Sequence, residues 1–415
     1  MKRLKWLYPG MLIKRWISLS VIGIVMVAMG FVIVIAEKIP ENKTIAGLII
    51  ILGIMIMVYA VKRIFKTLVT ALVPQSYDSL LVDKVYEKHV LVRGPKIVVI
   101  GGGTGLSTLL TGLKTRTSNI TAIVTVADDG GSSGRLRKEF DVLPPGDIRN
   151  CLVALSDSED ILGPLFQFRF EEGKELEGHN FGNLFITALS KITGDFNRAI
   201  RESSKVLNIR GSVFPATLDK VQLIAERQDG RRITGESRIR EESGSPIVRM
   251  YITPEDCEAS SEALEAIKKA DVIVLGPGSL YTSVMPNLLI SGIKDTITGA
   301  RGIKIYVCNI MTEYGETDDY SVSEHAKAVI KHTAGRFMDY CVCNTRKIPE
   351  RLSEKYKIKK QFPVKTTARD EEWFSDEKIL LIKADIASME EFVRHDPRKL
   401  SDVIMNIYNA AKHGG

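Results

Sequence analysis

The sequence predicts an α/β protein: a Rossmann-like parallel sheet with helices on both faces and a small β-hairpin insertion, preceded by an N-terminal two-helix transmembrane hairpin. Three observations carry this expectation. From residue 96 onward, short β-branched runs alternate with segments of helical spacing, the pattern of a parallel sheet covered on both faces. The first run, 96–100, stops abruptly at Gly101-Gly102-Gly103-Thr104-Gly105. Ahead of it lie two uncharged apolar stretches, 17–36 and 45–61.

The first stretch has twenty residues and the second seventeen, enough for helices that cross roughly 30 Å of hydrocarbon. A polar turn with Pro40 and Asn42 joins them. The first is too long for a signal peptide, and a second span follows at once. Five Lys or Arg precede the first span and three follow the second, against two in the loop. The excess of basic flanks places both ends in the cytoplasm. The expected location is the cell membrane, multi-pass, with the main domain in the cytoplasm. Trp6, Trp16 and Tyr59 suit interfacial anchors. Neither span holds an ionisable residue, which argues against a transport pathway.

Residues 1–66 carry ten basic side chains against two acidic ones, +8 of a chain total of +7, so the remainder is −1. The basic balance therefore belongs to the membrane flanks and not to a nucleic-acid face. Five scattered cysteines fit a reducing compartment better than a disulfide framework. Cys341 and Cys343 fall on one face of an expected strand, where buried thiols pack. Domain organisation follows: 1–66 as the transmembrane hairpin, 67–95 as a connector and 96–415 as one nucleotide-binding domain.

In that domain the periodicity predicts strands at 96–100, 120–127, 272–275, 303–309, 338–342 and 379–383. Helices are expected at 106–113, 147–155, 182–193, 196–207, 261–269 and 323–331, with a terminal helix from about Pro397. Segments 221–227 and 232–234, joined through Asp229-Gly230, read as the inserted hairpin. In such sheets ligands sit beyond the carboxyl ends of the strands, and the chemically distinctive residues cluster there.

Gly102, Gly103, Thr104 and Gly105 form a turn whose backbone can approach a ligand, with free helix N–H groups for an anion. Position 106 is Leu, so the G-x-G-x-x-G fingerprint is not met, and no Gly-Lys-Ser/Thr exists for a P-loop. The second strand ends in Asp128-Asp129, which can accept from a ribose hydroxyl or hold Mg²⁺ beside a phosphate. Gly131, Ser132, Ser133 and Arg137 suit a mobile oxyanion loop. Asp147 is placed to cap its helix, and Arg149 and Asn150 to point at phosphate or base. Asn180 and Asn183 offer amides, and His179 is either an acid/base group or a packed side chain. Gly276, Pro277, Gly278 and Ser279 make a second anion turn, with Tyr281 offering a ring or hydroxyl and Asn309 reaching the same rim.

The stretches IVVIGGGTGLSTLL, ITAIVTVADDGGSSGRLR, PPGDIRNCLVALS, GHNFGNL, ITGDFNRAI, VLGPGSLYTSVMPNLL and MTEYGETDDYS occur in order over about 96–330. Together they resemble the gluconeogenesis factor (YvcK) family, within the larger group that includes 2-phospho-L-lactate transferase (CofD). The apolar hairpin lies outside the shorter family pattern. The resemblance implies a protein that binds UDP-N-acetylglucosamine and acts in cell-shape and cell-wall control under gluconeogenic growth. It also implies Mg²⁺ as a candidate ion at Asp128 and Asp129, positions shared with the transferases. Small residues at 130–134 match the sugar-nucleotide binders, which favours binding over transfer. Tyr356 and Arg394 match a tyrosine and an arginine that the family uses toward its ligand. The expected partners are the nucleotide sugar, the membrane through 17–61, a cell-wall-synthesis protein and further copies of the chain. The alternative is a metal-dependent transferase resting on Asp128 and Asp129; no Ser-His-Asp order or catalytic Cys stands out. An NAD-dependent oxidoreductase is disfavoured by the broken fingerprint.

Overall fold

The computed structural model describes residues 13–36, 40–72, 90–157, 161–242, 244–333 and 337–413. They fall into two compact units, one within 1–86 and one within 87–415. The first is a pair of helices, Ile13–Ala36 and Pro40–Leu72, long and apolar enough to cross a membrane by length and composition. They meet through glycines: a side chain at Gly23 would sit 2.8 Å from the Gly53 carbonyl, and one at Gly53 2.8 Å from that of Gly23. Small residues of this kind let helix backbones approach closely. Arg63 lies 5.4 Å over the rings of both Trp16 and Tyr59, which meet edge to face. The second helix runs on to Leu72, into the expected connector, and Trp6 and 73–89 lie outside the described residues.

The second unit is built on a seven-stranded parallel sheet flanked by helices. Its strands are β1 (Ile97–Gly101), β2 (Ile120–Val124), β3 (Ser212–Pro215), β7 (Val272–Leu275), β8 (Ile303–Val307), β9 (Tyr340–Asn344) and β10 (Leu380–Ala384). Their order is β10-β9-β8-β7-β1-β2-β3. β1 and β7 are buried at every position, which explains why both read as unbroken Val/Ile/Leu runs. They pair directly, Ile97 with Val272 through Ile100 with Leu275. From β1 the chain winds out to β3, then returns to β7 and winds the other way. The carboxyl ends of β1 and β7 are therefore the topological switch point, where such sheets open a crevice.

The insertion is larger than the expected hairpin. β4 (Gln222–Arg227) and β5 (Arg232–Thr234) are joined by β6 (Ile247–Thr253) in a three-stranded antiparallel sheet. A second hairpin, β11 (Ala387–Met389) with β12 (Val393–His395), was also not foreseen; three-residue strands carry too little periodicity to read. One expectation is reversed. The segment read as a mobile oxyanion loop at 130–137 is part of the helix Gly131–Phe140. Its glycines and serines are poor helix formers, but tertiary packing overrides propensity here. Ser132, Ser133 and Leu136 are buried, and any side chain at Gly134 would run into the Asp129 carbonyl. Cys341 and Cys343 are buried and free, as are Cys151, Cys257 and Cys308.

Candidate functional site

The site starts from backbone. After β1 the chain turns at Gly102 and enters the helix Gly103–Leu113. Gly103 holds φ +66, a conformation L side chains rarely adopt. Gly105 packs so close to the turn after β7 that a side chain there would meet the Pro277 carbonyl at 2.6 Å. The two glycine turns thus lie backbone on backbone, with the open N-terminus of a helix between them.

Around them are two cavities with a common wall. The larger, about 670 Å³, is lined by Gly102–Gly105, Pro277–Ser279 and Asn309. Tyr314, Tyr356 and Arg394 line it as well. The smaller, about 390 Å³, is lined by Asp128, Gly131, Ser132, Ser133, Arg149 and Asn183, with Arg169 at its edge. Asp147, Asn150 and Arg240 line both. Tyr356 and Arg394, expected from the family resemblance alone, reach the first lobe beside the β11–β12 hairpin: the Tyr356 hydroxyl accepts from the Val393 N–H at 3.0 Å.

Five expected residues do not line the cleft. Asp129 is occupied elsewhere, its Oδ1 accepting from the Ser237 N–H (2.9 Å) and hydroxyl (2.7 Å). Arg137 donates to the Val221 carbonyl at 2.6 Å. Asn180 caps the helix Phe181–Thr193, accepting from the Asn183 N–H at 3.2 Å. Tyr281 is buried, its hydroxyl 2.9 Å from that of Tyr320, and burial pushes its pKa up. Gly276, at φ +77, shapes the turn from behind. Asp128 lines the smaller lobe, whereas Asp129 is engaged by Ser237 of the insertion. Among the described residues no group of three or more His, Cys, Asp or Glu side chains is arranged to hold a metal ion.

Asp147 does not cap its own helix, whose N-cap is Pro145. It turns back to accept from the Gly103 backbone, and burial, reinforced by Asp128, raises its pKa to about 6. Arg149 is buried and held flat by Asn183 Oδ1 (3.0 Å) and Asn150 Oδ1 (2.7 Å). Burial, then the nearby Arg169, lowers its pKa to about 10. Ser132 Oγ accepts from Asn183 Nδ2 at 3.2 Å and lies 3.3 Å from His179 Nδ1, so His179 is a packed member of this network.

The sequence reading missed an acidic cluster around Arg240. Arg240 pairs with Glu236 at 2.8 Å and lies 3.7 Å from Glu316. Glu313 accepts from the Ser279 hydroxyl at 2.9 Å, and Glu316 from the Thr282 hydroxyl at 3.1 Å. Burial pushes all three carboxyls up, and Glu313 adds to the rise of Glu316. The stretch 311–321 follows β8, so the strand-end rule alone could have found Glu313 and Glu316. Glu236 and Arg240 come from the insertion, and no local signal aims them at the cleft.

A glycine-turned cleft at the switch point of a doubly wound sheet is the architecture of Rossmann-like ligand-binding proteins. Residues 97–387 match the family model described as 2-phospho-L-lactate transferase CofD. The gluconeogenesis factor of Halalkalibacterium halodurans is 49% identical over 76% of this chain and 97% of its own. That of Bacillus subtilis is 46% identical over 75% and 98%. A relative from Nostoc sp. is 46% identical over 99% of this chain and 93% of its own, so that alignment takes in the apolar N-terminal helices. A crystal structure of a Bacillus halodurans protein superposes with TM-score 0.73 at 48% identity, covering 75% of this chain and 100% of that one. The chain belongs to the CofD-like family and, within it, to the gluconeogenesis factor (YvcK) family.

Proposed function

We propose that this protein is a membrane-anchored regulator that binds a nucleotide sugar, UDP-N-acetylglucosamine, and acts in cell-shape and cell-wall control under gluconeogenic growth. The observation that carries the reading is the cleft itself. Its two glycine turns and the helix Gly103–Leu113 offer backbone N–H groups to a diphosphate, and Tyr314 and Tyr356 offer rings to a base. The two apolar helices and their basic flanks favour anchoring in the cell membrane with the main unit in the cytoplasm. There the ligand site would lie beside the machinery that finishes envelope precursors, and a cell-wall-synthesis protein and further copies of the chain are its proposed partners. A Mg²⁺ ion carried on the ligand's phosphates would meet Asp128 rather than both aspartates.

Calorimetric titration of the full chain in detergent with UDP-N-acetylglucosamine tests this directly. Saturable one-site binding is expected; no heat at millimolar ligand, with the protein folded, sinks the reading. The family match to a transferase supports a second reading, transfer of a phospholactyl group. Turnover of a nucleotide-activated phospholactate that disappears in Asp128→Asn would establish it.

A further inference from the structure

Two lobes that share one wall suit a ligand whose charged middle sits at that wall and whose two ends differ. The chemistry of the lobes differs in just this way. The larger is walled by Tyr314, Tyr356, Ile310, Met311 and Val393 among its polar groups, surfaces that suit the flat face of a heterocycle. The smaller has no aromatic or aliphatic side chain in its wall among the described residues; Asp, Ser, Asn, Arg, Glu and Gly make it up. We propose that the smaller lobe is the hexose subsite, holding the sugar ring between Asp128 on one side and Arg149 and Arg169 on the other, while the base occupies the larger lobe and the diphosphate the shared wall at Asn150 and Arg240. This assignment rests on the nucleotide-sugar reading above and deepens it.

Two observations favour a neutral polyol over a second anion. Arg149, Arg169 and Arg240 stand against Asp128, Asp147, Glu236 and Glu241, so an added negative charge would meet more carboxyls than guanidinium groups. The wall holds donors and acceptors together, which suits hydroxyls because each both donates and accepts. The key donors are also held still. Asn183 and Asn150 fix the Arg149 guanidinium, and the Gly178 carbonyl accepts from Arg169 at 2.6 Å. Groups fixed in advance lose little freedom when a ligand arrives. The volume, about 390 Å³, is room for roughly a dozen waters at about 30 Å³ each, enough for a substituted pyranose. Asp128 is available for this role because only its Oδ1 is engaged, by the Gly130 N–H at 2.9 Å.

The test compares UDP-N-acetylglucosamine with UDP on the full chain in detergent, with Mg²⁺ and again with a chelator. With the chelator, Asp128→Asn and Arg169→Gln are expected to weaken the nucleotide sugar about 10-fold or more, the range of one lost charged hydrogen bond, and to leave UDP within about twofold. Tyr356→Ala, in the other lobe, is expected to weaken both ligands. Thermal melts establish that each variant is folded, and Arg169, an exposed side chain, keeps the test open if Asp128→Asn is not. If the unaltered protein binds both ligands but the small-lobe variants change both equally or neither, the subsite is overturned and the parent reading stands. If the unaltered protein binds neither ligand, the nucleotide-sugar reading falls and takes the subsite with it.

Discussion

Asp147 stands where the cleft most needs a decision about charge. It accepts from the turn that would receive a phosphate, with Asp128, Arg240 and Arg149 as its charged neighbours. Because folding holds its pKa at about 6, above the ordinary 3.8, the folded state favours the protonated form. Its contribution to stability is therefore lost as pH rises between about 4 and about 6. A diphosphate at the same wall pushes that pKa further up, so binding takes up a proton and weakens as pH climbs above about 6. The diphosphate of a nucleotide sugar does not titrate in this range, so the dependence belongs to the protein. Asp147→Asn is expected to tighten binding at pH 8 by up to about tenfold, the worth of one pKa unit. It should also flatten, without abolishing, the slope between pH 6 and 8, since Glu236, Glu313 and Glu316 are shifted in the same sense. Calorimetry across that range checks it; an unchanged slope in the variant removes Asp147 from the account. The residue type was legible in the sequence. Its direction was not, because a carboxylate near a helix start can cap its own helix or reach across to another turn.

At the scale of elements, the insertion matters more than its size in the sequence suggests. It brings Glu236 and Arg240 to the cleft on the short helix Glu236–Glu241, and one buried side chain ties it there. A register shift at Glu226/Arg227 interrupts the pairing of β4 with β6, the kind of bulge that re-aims a side chain. Arg227, 1% exposed, donates through Nη1 to the carbonyls of Ser245 and Gly315, each at 2.8 Å. Through Nη2 it donates to those of Ile239 (3.2 Å) and Glu242. Gly315 belongs to the loop that carries Glu313 and Glu316, so a single guanidinium staples both acidic walls together. Arg227→Met is expected to destabilise the unit by about 3–5 kcal/mol, since it strands buried carbonyl groups. Arg227→Lys should recover part of that, an ammonium having fewer donors and no planar fork. Urea denaturation measures both; a loss below about 1 kcal/mol for Arg227→Met would show that the insertion is held by other means. An alternating strand with Asp-Gly beside it announced β4 and β5. β6 went unread although a local signal was present: its β-rich run 247–253 follows Gly244-Ser245-Pro246, with Arg249 and Tyr251 on one face.

For the molecule as a whole, the two units make separate physical demands. The unit within 87–415 has its own core, and relatives from Halalkalibacterium and Bacillus cover about three-quarters of the chain with nearly all of theirs. Removing 1–86 is therefore expected to leave a soluble fragment that melts within a few degrees of the parent. The proposed membrane anchoring predicts that the full chain sediments with membranes and resists extraction by salt or alkaline wash, since helices of this length and apolarity would insert effectively irreversibly. Fractionation of cells expressing either form decides it. Release of the full chain by salt alone would reduce the hairpin to a peripheral contact.

The sequence by itself determined a parallel sheet, six of its seven strands and most of its flanking helices, and the glycine turns at the switch point; β3, four residues long at the sheet edge, escaped it. Each of these rests on local chemistry: β-branched runs buried on both faces, helical spacing, and glycine where backbone meets backbone. It also marked most of the cleft wall, since ligand groups gather where strands end. Only the tertiary structure decided which of those groups face one cleft. Asp129, Arg137, Asn180 and Tyr281 have the right chemistry and the right neighbourhood, yet each is spent on holding the fold. Glu236 and Arg240 arrive from a distant insertion. Side-chain direction is set by packing partners far away in sequence, and no reading of nearby residues contains them.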